Sequence, residues 1–240
     1  MLLRDSISRN FLQLAGRYAA EVLIIFTGIT ISFLFEQSRE EQRQKEALLL
    51  LAQSLLSDVE TERALLIKDL PVSAEWVERM DSLRVQRESN TVSPRQLSWL
   101  YAVLTGQEMF LFDPQSPTYS SSVSTSLYGQ LPDTVRKKLY TVYEGRLRYL
   151  QLLYDQQQEN ITSFRNHSMV PSLTHVPLGD LDKMQPDLEA FARELQQPKY
   201  GNLLNQLIIT EKLCYRQNED AIEAMTEVAV SLKAYLKALK

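Results

Sequence analysis

The chain has 240 residues with a net charge of -4, and only 7 of them are glycine and 9 proline. So few turn-forming residues favour long helices over sheets and hairpins. Nucleic acid binds basic surfaces, and a pI near 5.4 gives no sign of one. We therefore expect an all-α protein that does not bind nucleic acid.

The first predicted element is a hydrophobic helix over residues 18–35, preceded by a tail of residues 1–17. Residues 22–35 carry no charge. Eighteen residues at ~1.5 Å each give about 27 Å of helix, close to the hydrocarbon thickness of a bilayer. A buried core helix is the alternative, but such a helix keeps a polar stripe towards water. The hydroxyl groups here are able to bond to their own helix, and they belong to Thr27, Thr30 and Ser32. The pattern predicts one transmembrane helix.

The segment is predicted to stay attached to the chain. Residues 33–37 contain no small-x-small cleavage motif of the kind that ends a signal peptide. Basic residues flank the segment on both sides, so charge does not fix its orientation. A short tail before one uncleaved span suits an anchor whose following domain is exported, and we expect that domain to be periplasmic.

One face of this helix has the composition of a helix-packing surface. Glu21, Ile25, Gly28 and Ser32 follow one another at spacings of four, three and four residues. A small-x-x-x-small pair such as Gly28 and Ser32 allows two backbones to approach closely in a membrane. Snorkelling of Glu21 to the interface is the simpler alternative for that residue. The face is the predicted contact with another membrane helix.

A polar stalk follows over residues 36–46, where neither an apolar side chain nor a helix breaker occurs. We expect the spanning helix to continue through it into a bundle domain over residues 47–240. Apolar positions then recur at helical spacing until Pro71, which is predicted to end the first bundle helix.

Later proline and acidic residues place the remaining helices. Pro94 is expected to open a helix that Gly106 stops, and Asp133 is expected to cap a long one. Pro198 introduces a final helix of about forty residues, judged from the 3.6-residue period of its apolar positions. Three long helices with shorter ones between them predict an antiparallel bundle, four-helix-like in its packing.

An apolar stretch between two of these helices is the candidate partner patch. Its exposure would mark a protein contact, whereas burial would make it a plug that closes the end of the bundle. Both alternatives stay open at this stage. The residues concerned are Met109, Phe110, Leu111, Phe112 and Tyr119.

No residue pattern in the chain indicates catalysis, a cofactor or a metal site. Cys214 lies on the apolar face of the last predicted helix, where a cysteine is usually a small buried hydrophobe. His167 and His175 lack cysteine or acidic ligands at zinc-site spacing. The chain has no phosphate-binding glycine loop and no nucleophile elbow. We expect a protein that is not an enzyme.

Two groups of residues give the chain a family resemblance. The first is Tyr18, Glu21, Gly28 and Ile29, and the second runs from Thr118 and Tyr119 through Leu127, Gly129 and Leu131 to Val135, Lys138, Leu139 and Tyr143. In this layout the chain resembles a bacterial membrane-anchored family of unknown function, whose members begin with a pattern like Tyr-x-x-x-Glu-x-x-x-x-x-x-Gly-Ile. Here the first gap is one residue shorter. The resemblance implies one N-terminal anchor and a helical domain, and it supplies no activity.

Together these features predict an accessory or scaffold protein of a bacterial inner membrane. Its expected partners are the lipid bilayer and either other membrane protein subunits or a second copy of itself. The alternative is a sensory module whose bundle binds a small ligand and signals along the stalk. Because the tail of residues 1–17 is too short for an output domain, a sensor of this kind would need a partner subunit.

Overall fold

The computed structural model describes the backbone of residues 2–105, 112, 114, 116–168 and 188–239, and the side chains of residues 23–104, 112, 114, 116–167 and 188–239. Every regular element within these ranges is helical, so the predicted all-α class is confirmed. In chain order the elements are α1 (Leu2–Glu88), α2 (Pro94–Thr105), α3 (Pro117–Ser122), α4 (Ser126–Gly129), α5 (Asp133–Tyr140), a π-helical segment (Thr141–Leu147), α6 (Arg148–Ser168), α7 (Leu188–Leu195) and α8 (Pro198–Leu239).

The long helices α1, α6 and α8 form the bundle. Helix α8 is antiparallel to α1, because Glu60 pairs with Lys233 at 2.6 Å while Arg87, near the other end of α1, contacts Gly201. It is antiparallel to α6 as well, since Asn160 donates to the Thr210 hydroxyl at 3.0 Å while Asn218, later on α8, donates to the hydroxyl of Tyr154, earlier on α6, at 2.9 Å. Three long helices therefore form this core, and shorter helices flank it where a fourth was predicted.

The prediction that Pro71 ends the first bundle helix is wrong, since α1 continues through it to Glu88. Proline in a helix interior removes one backbone hydrogen bond and costs about 3 kcal/mol. Apolar side chains on both sides of the break, such as Leu66 and Met80, are buried in the bundle. Burying one such side chain contributes about 1.5–3 kcal/mol, so packing on both sides outweighs the break.

Helix α1 ends in a Schellman motif. Asn90 adopts a left-handed conformation with φ 57°. Its N–H donates to the Arg87 carbonyl at 3.1 Å, and the N–H of Thr91 donates to the Gln86 carbonyl at 2.8 Å. These two bonds satisfy carbonyl groups that would otherwise lack a partner at the helix end.

The prediction that Asp133 is the N-cap of a helix is wrong by one position. The N-cap residue is Pro132, which has no side chain able to accept a hydrogen bond, and Asp133 is the first residue of α5. Its carboxylate pairs with Lys137 at 3.3 Å and also with Arg136. The predicted long helix then continues from α5 into α6, but the turn between them is π-helical.

The apolar interior is divided into two cores. The first core occupies the middle of α1 and the C-terminal half of α8, with side chains that include Leu55, Val59, Leu66, Leu150, Cys214 and Met225. The second core occupies the end of α1 and the start of α8, and includes Met80, Leu83, Leu100, Phe164, Leu204 and Leu207. Along all three long helices, the boundary between the cores is marked by buried polar residues.

Candidate functional site

The described part of the predicted anchor, residues 23–35 of α1, exposes apolar side chains on every side. Successive positions from Leu23 to Phe26 turn through a full circle at about 100° per residue, and all four are exposed. The exposed fractions of the large apolar side chains lie between 47 % and 70 %, at Leu23, Ile24, Ile25, Phe26, Ile29, Ile31, Phe33, Leu34 and Phe35. No stripe of this surface is covered by the bundle, so a buried core helix does not describe it.

The hydroxyl groups of this segment bond to its own backbone, as the sequence predicted. Thr27 donates to the Leu23 carbonyl at 2.7 Å and Thr30 to the Phe26 carbonyl at 2.9 Å. Ser32 donates to the Gly28 carbonyl, also at 2.9 Å. Each polar side chain in residues 23–35 is thus satisfied without water, which lowers the penalty for placing it in an apolar medium.

Within the part of the chain that the structure describes, no helix combines the length and the apolar character needed to cross a membrane. The transmembrane helix over residues 18–35 stays a prediction.

The predicted helix-packing face is partly described. Ile25 is 62 % exposed, and a Cβ added at Gly28 would meet no atom of the chain within 4 Å. Ser32 is exposed on the same face. The side chain of Glu21 lies outside the described residues. Within this chain the described face is uncovered, and its contact with another helix stays a prediction.

The stalk of residues 36–46 is helical and exposed throughout, so α1 connects the apolar segment to the bundle without interruption. Its side chains form hydrogen bonds one turn apart. Gln37 donates to Glu41 at 3.0 Å and Gln42 donates to Glu46 at 3.1 Å. Such pairs stabilise a helix that has no tertiary support, each by about 0.2–0.5 kcal/mol.

Two members of the candidate partner patch lie inside the bundle. Phe112 is buried and stacks on Tyr154 with 5.3 Å between ring centroids. Tyr119 is 2 % exposed and stacks on Tyr143 at 4.4 Å. These two positions match the alternative of an internal plug and are not available to a partner. The other three, Met109, Phe110 and Leu111, lie outside the described residues.

A buried polar group that the sequence did not single out lies between the two cores. We call Ser73, Gln157 and Glu211 the Glu211 cluster. Ser73 on α1 donates to one Glu211 carboxylate oxygen at 3.0 Å, and Gln157 on α6 donates to the other at 3.1 Å. The exposed fractions of Glu211 and Gln157 are both 4 %. The cluster therefore joins α1, α6 and α8 through one buried carboxyl group.

Both hydrogen-bond donors to Glu211 are neutral side chains, so the cluster contains no cation that neutralises the carboxylate. Burial raises the pKa of Glu211 from the 4.5 of an ordinary glutamate to about 7, and the hydrogen bonds from Ser73 and Gln157 oppose that rise. The same burial raises the pKa of the neighbouring Tyr154 and Cys214. Near neutral pH, Glu211 thus exchanges a proton while its neighbours keep theirs.

A small cavity adjoins the cluster. Its volume is about 30 Å³, and its walls include Val72 and Trp76 of α1 and Ile161 of α6. That is room for one or two water molecules. The side-chain oxygen of Gln157 is buried and has no hydrogen-bond partner. The cavity and this oxygen together make a site for hydration of the cluster.

Two of the remaining candidate residues, Cys214 and His167, are described by the structure. Cys214 is fully buried in the first core, as predicted. His167 is exposed at the end of α6, where its ring contacts the Ser163 carbonyl at 2.7 Å; His175 lies outside the described residues. Among the described residues, no group of three or more histidine, cysteine or acidic side chains is arranged to hold a metal ion.

The sequence did contain one signal for the Glu211 cluster. Glu211 lies four residues after Leu207 and three before Cys214, at the spacing of a buried helix face. An acidic residue at such a position indicates either a break in the face or a buried carboxyl group with partners. The partners come from helices far away in the sequence, so its contacts were not predictable.

No family model, curated protein or solved structure matches this chain.

Proposed function

We propose that this chain is a non-enzymatic accessory or scaffold protein of a bacterial inner membrane, anchored by residues 18–35 and assembling with itself or with a larger membrane complex. The resemblance stated above points to the same architecture. In this proposal the bundle is periplasmic, and the face of Glu21, Ile25, Gly28 and Ser32 makes the contact within the membrane.

The observation that carries the proposal is the exposed apolar surface of residues 23–35. Nine large apolar side chains are exposed there. Removing each from water is favourable by about 1.5–3 kcal/mol, so the nine together contribute on the order of 15 kcal/mol. One acidic residue within a membrane helix costs only about 3 kcal/mol. The balance favours transfer of this segment into a bilayer, even with Glu21 at its edge.

The open space at Gly28 supports assembly through this face. A side chain there would meet nothing in the same chain, so the small residue has no packing role within the monomer. Glycine in a helix interior costs about 1 kcal/mol relative to alanine. A close contact between this face and another helix gives that glycine a function.

A ligand-sensing bundle is the second candidate, and the polar cavity beside Glu211 is the observation in its favour. Sites for small metabolites usually measure 300–1,000 Å³, whereas this cavity measures about 30 Å³. A surface groove of about 350 Å³ is lined by charges that pair with each other. Arg146 pairs there with Asp220 at 3.0 Å, and Lys138 with Glu227 at 3.2 Å. The small size of the cavity and the pairing of charges in the groove favour the accessory role.

Replacing Gly28 tests the proposed assembly. We expect Gly28→Leu to abolish most of the self-association or partner co-purification of the full chain in mild detergent, because the larger side chain holds the neighbouring helix away. Membrane insertion should be unchanged, since leucine is apolar. Thr27→Leu, which changes the adjacent position on a different face, is the matched control and should assemble normally.

Two results would count against the proposal. A wild-type chain that is strictly monomeric and free of partners in mild detergent would contradict the accessory role. If Gly28→Leu assembles as well as the wild type, the contact does not use this face, and residues 18–35 serve only as a tether.

A further inference from the structure

We infer that the Glu211 cluster is a proton-dependent contact that regulates how firmly α1 packs across the boundary between the two cores. With Glu211 protonated, the three helices stay packed at this level. With Glu211 ionised, water enters the adjoining cavity and α1 loosens around Pro71. This inference goes beyond the proposed anchoring and assembly and does not depend on them.

The position of the cluster is the first argument. On α1, Ser73 lies between Leu66 of the first core and Met80 of the second. Glu211 lies between the two cores on α8 in the same way, and so does Gln157 on α6. Because the cluster lies between the two cores, a change in its hydrogen bonds lets one core shift relative to the other while the apolar side chains of both stay packed.

The backbone of α1 is weakest at this same level. Pro71 has no N–H, so the carbonyl group of Ile67 lacks its bond within the helix. Ser73 follows two residues later and is buried. Its hydrogen bond to Glu211 therefore ties α1 to α8 within one turn of the missing backbone bond.

The cluster is built to change with protonation. Both Glu211 oxygens accept hydrogen bonds from neutral donors, and these bonds do not offset the penalty of burying a full charge. The unpartnered Gln157 oxygen beside the cavity can accept a hydrogen bond from water or from a protonated Glu211 after rotation of its amide. Proton uptake thus removes the buried charge and satisfies this oxygen.

The groups that face Glu211 do not supply a competing charge near neutral pH. Tyr154 on α6 and Cys214 on α8 are the titratable neighbours, and burial raises the pKa of both. On α1, Asp69 raises the pKa of Tyr154, whereas the raised pKa of Glu211 itself comes from burial.

The sign of the pH effect follows from the raised pKa of Glu211. In the unfolded chain this group ionises near pH 4.5, and in the folded chain near pH 7. The folded state therefore holds more protons between these values, and its stability falls as pH rises from 4.5 to 7. Glu211 is half ionised at its folded-state pKa, so the fall continues and levels off only about one pH unit above that value, where the group is ionised in both states.

Hydrogen exchange of the full chain in mild detergent tests the inference. Between pH 5.5 and pH 8, we expect the protection of amides in residues 66–80, corrected for intrinsic exchange rates, to fall about ten- to thirtyfold in the wild type. Glu211→Gln should show no such fall. Glu219→Gln, an exposed change on the same helix, should keep the wild-type response.

Two results would overturn the inference: a wild type whose protection changes less than twofold, or a Glu211→Gln variant that still shows the wild-type fall. If Glu211→Gln does not fold, the carbon-13 titration of the Glu211 carboxyl group in the wild type decides. A midpoint near 7 supports the inference, and a midpoint near 4.5 overturns it.

Discussion

Asn90 holds the left-handed position that ends α1, with φ 57°. Glycine adopts this conformation without strain, whereas a residue with a Cβ pays about 1 kcal/mol and asparagine somewhat less. We predict that Asn90→Gly raises the free energy of unfolding by up to about 1 kcal/mol and that Asn90→Ala lowers it by a similar amount. Urea unfolding of the full chain in mild detergent measures both. Equal effects of the two substitutions would contradict the Schellman assignment.

Arg87 joins the end of α1 to the end of α7. Its guanidinium donates to the Leu195 carbonyl at 2.7 Å and to the Gln197 carbonyl at 3.2 Å. A cation at the C-terminus of α7 also interacts favourably with the helix dipole. The group lies against Gly201, where an added Cβ would come within 2.6 Å of it.

We predict that Gly201→Ala displaces this guanidinium. The lost charged hydrogen bonds cost about 1–3 kcal/mol, the helix propensity of alanine returns about 1 kcal/mol, and the free energy of unfolding falls by about 0.5–2 kcal/mol. Arg87→Ala should have a similar effect, and the double variant should be less destabilised than the sum of the two. Gly129→Ala is the matched control, because an added Cβ there meets nothing within 4 Å. Additive effects would contradict the contact.

At this scale the sequence predicted which residues are buried better than what they bind. Cys214 was placed correctly in the core by its helical spacing. Glu211, on the same face of α8, was not recognised because Ser73 and Gln157 lie 138 and 54 residues away in the sequence. Spacing identifies a buried face, but it does not identify a partner on another helix.

Among the elements, α1 continues through Pro71, although proline usually ends a helix. The prediction at Pro71 used local propensity, and packing on both sides overrides that penalty. The π-helical segment at Thr141–Leu147 also has no signal in the apolar periodicity; it packs on α8, as do α5 before it and α6 after it. Helix existence followed from periodicity, whereas these boundaries followed from tertiary contacts.

We predict that Pro71→Ala stabilises the folded chain by about 2 kcal/mol. The new N–H restores a helix hydrogen bond, and the greater freedom of the unfolded chain offsets part of the gain by about 0.4–1 kcal/mol. Amide protection in residues 66–75 should rise together with the unfolding free energy. A destabilised variant would show that the missing bond is not a weak point of α1.

For the whole molecule, composition and periodicity predicted the all-α class and an antiparallel arrangement of long helices. They predicted three long helices, but not that short helices take the place of a fourth or that a polar layer divides the core, because both depend on which faces meet. The exposed apolar segment of residues 23–35 was visible in the sequence, and the bundle leaves it uncovered. This segment is the basis of the proposed anchoring.

Extraction of membranes with alkaline carbonate tests that anchoring most directly. We expect the full chain to stay with the lipid, and a variant with Ile25→Arg, Ile29→Arg and Phe33→Arg to be extracted, because three central arginines cost roughly 9 kcal/mol. A control with Leu50→Arg, Leu65→Arg and Val230→Arg, at exposed apolar positions outside the segment, should stay with the lipid. Extraction of the wild type, or retention of the triple variant within residues 23–35, would contradict the account.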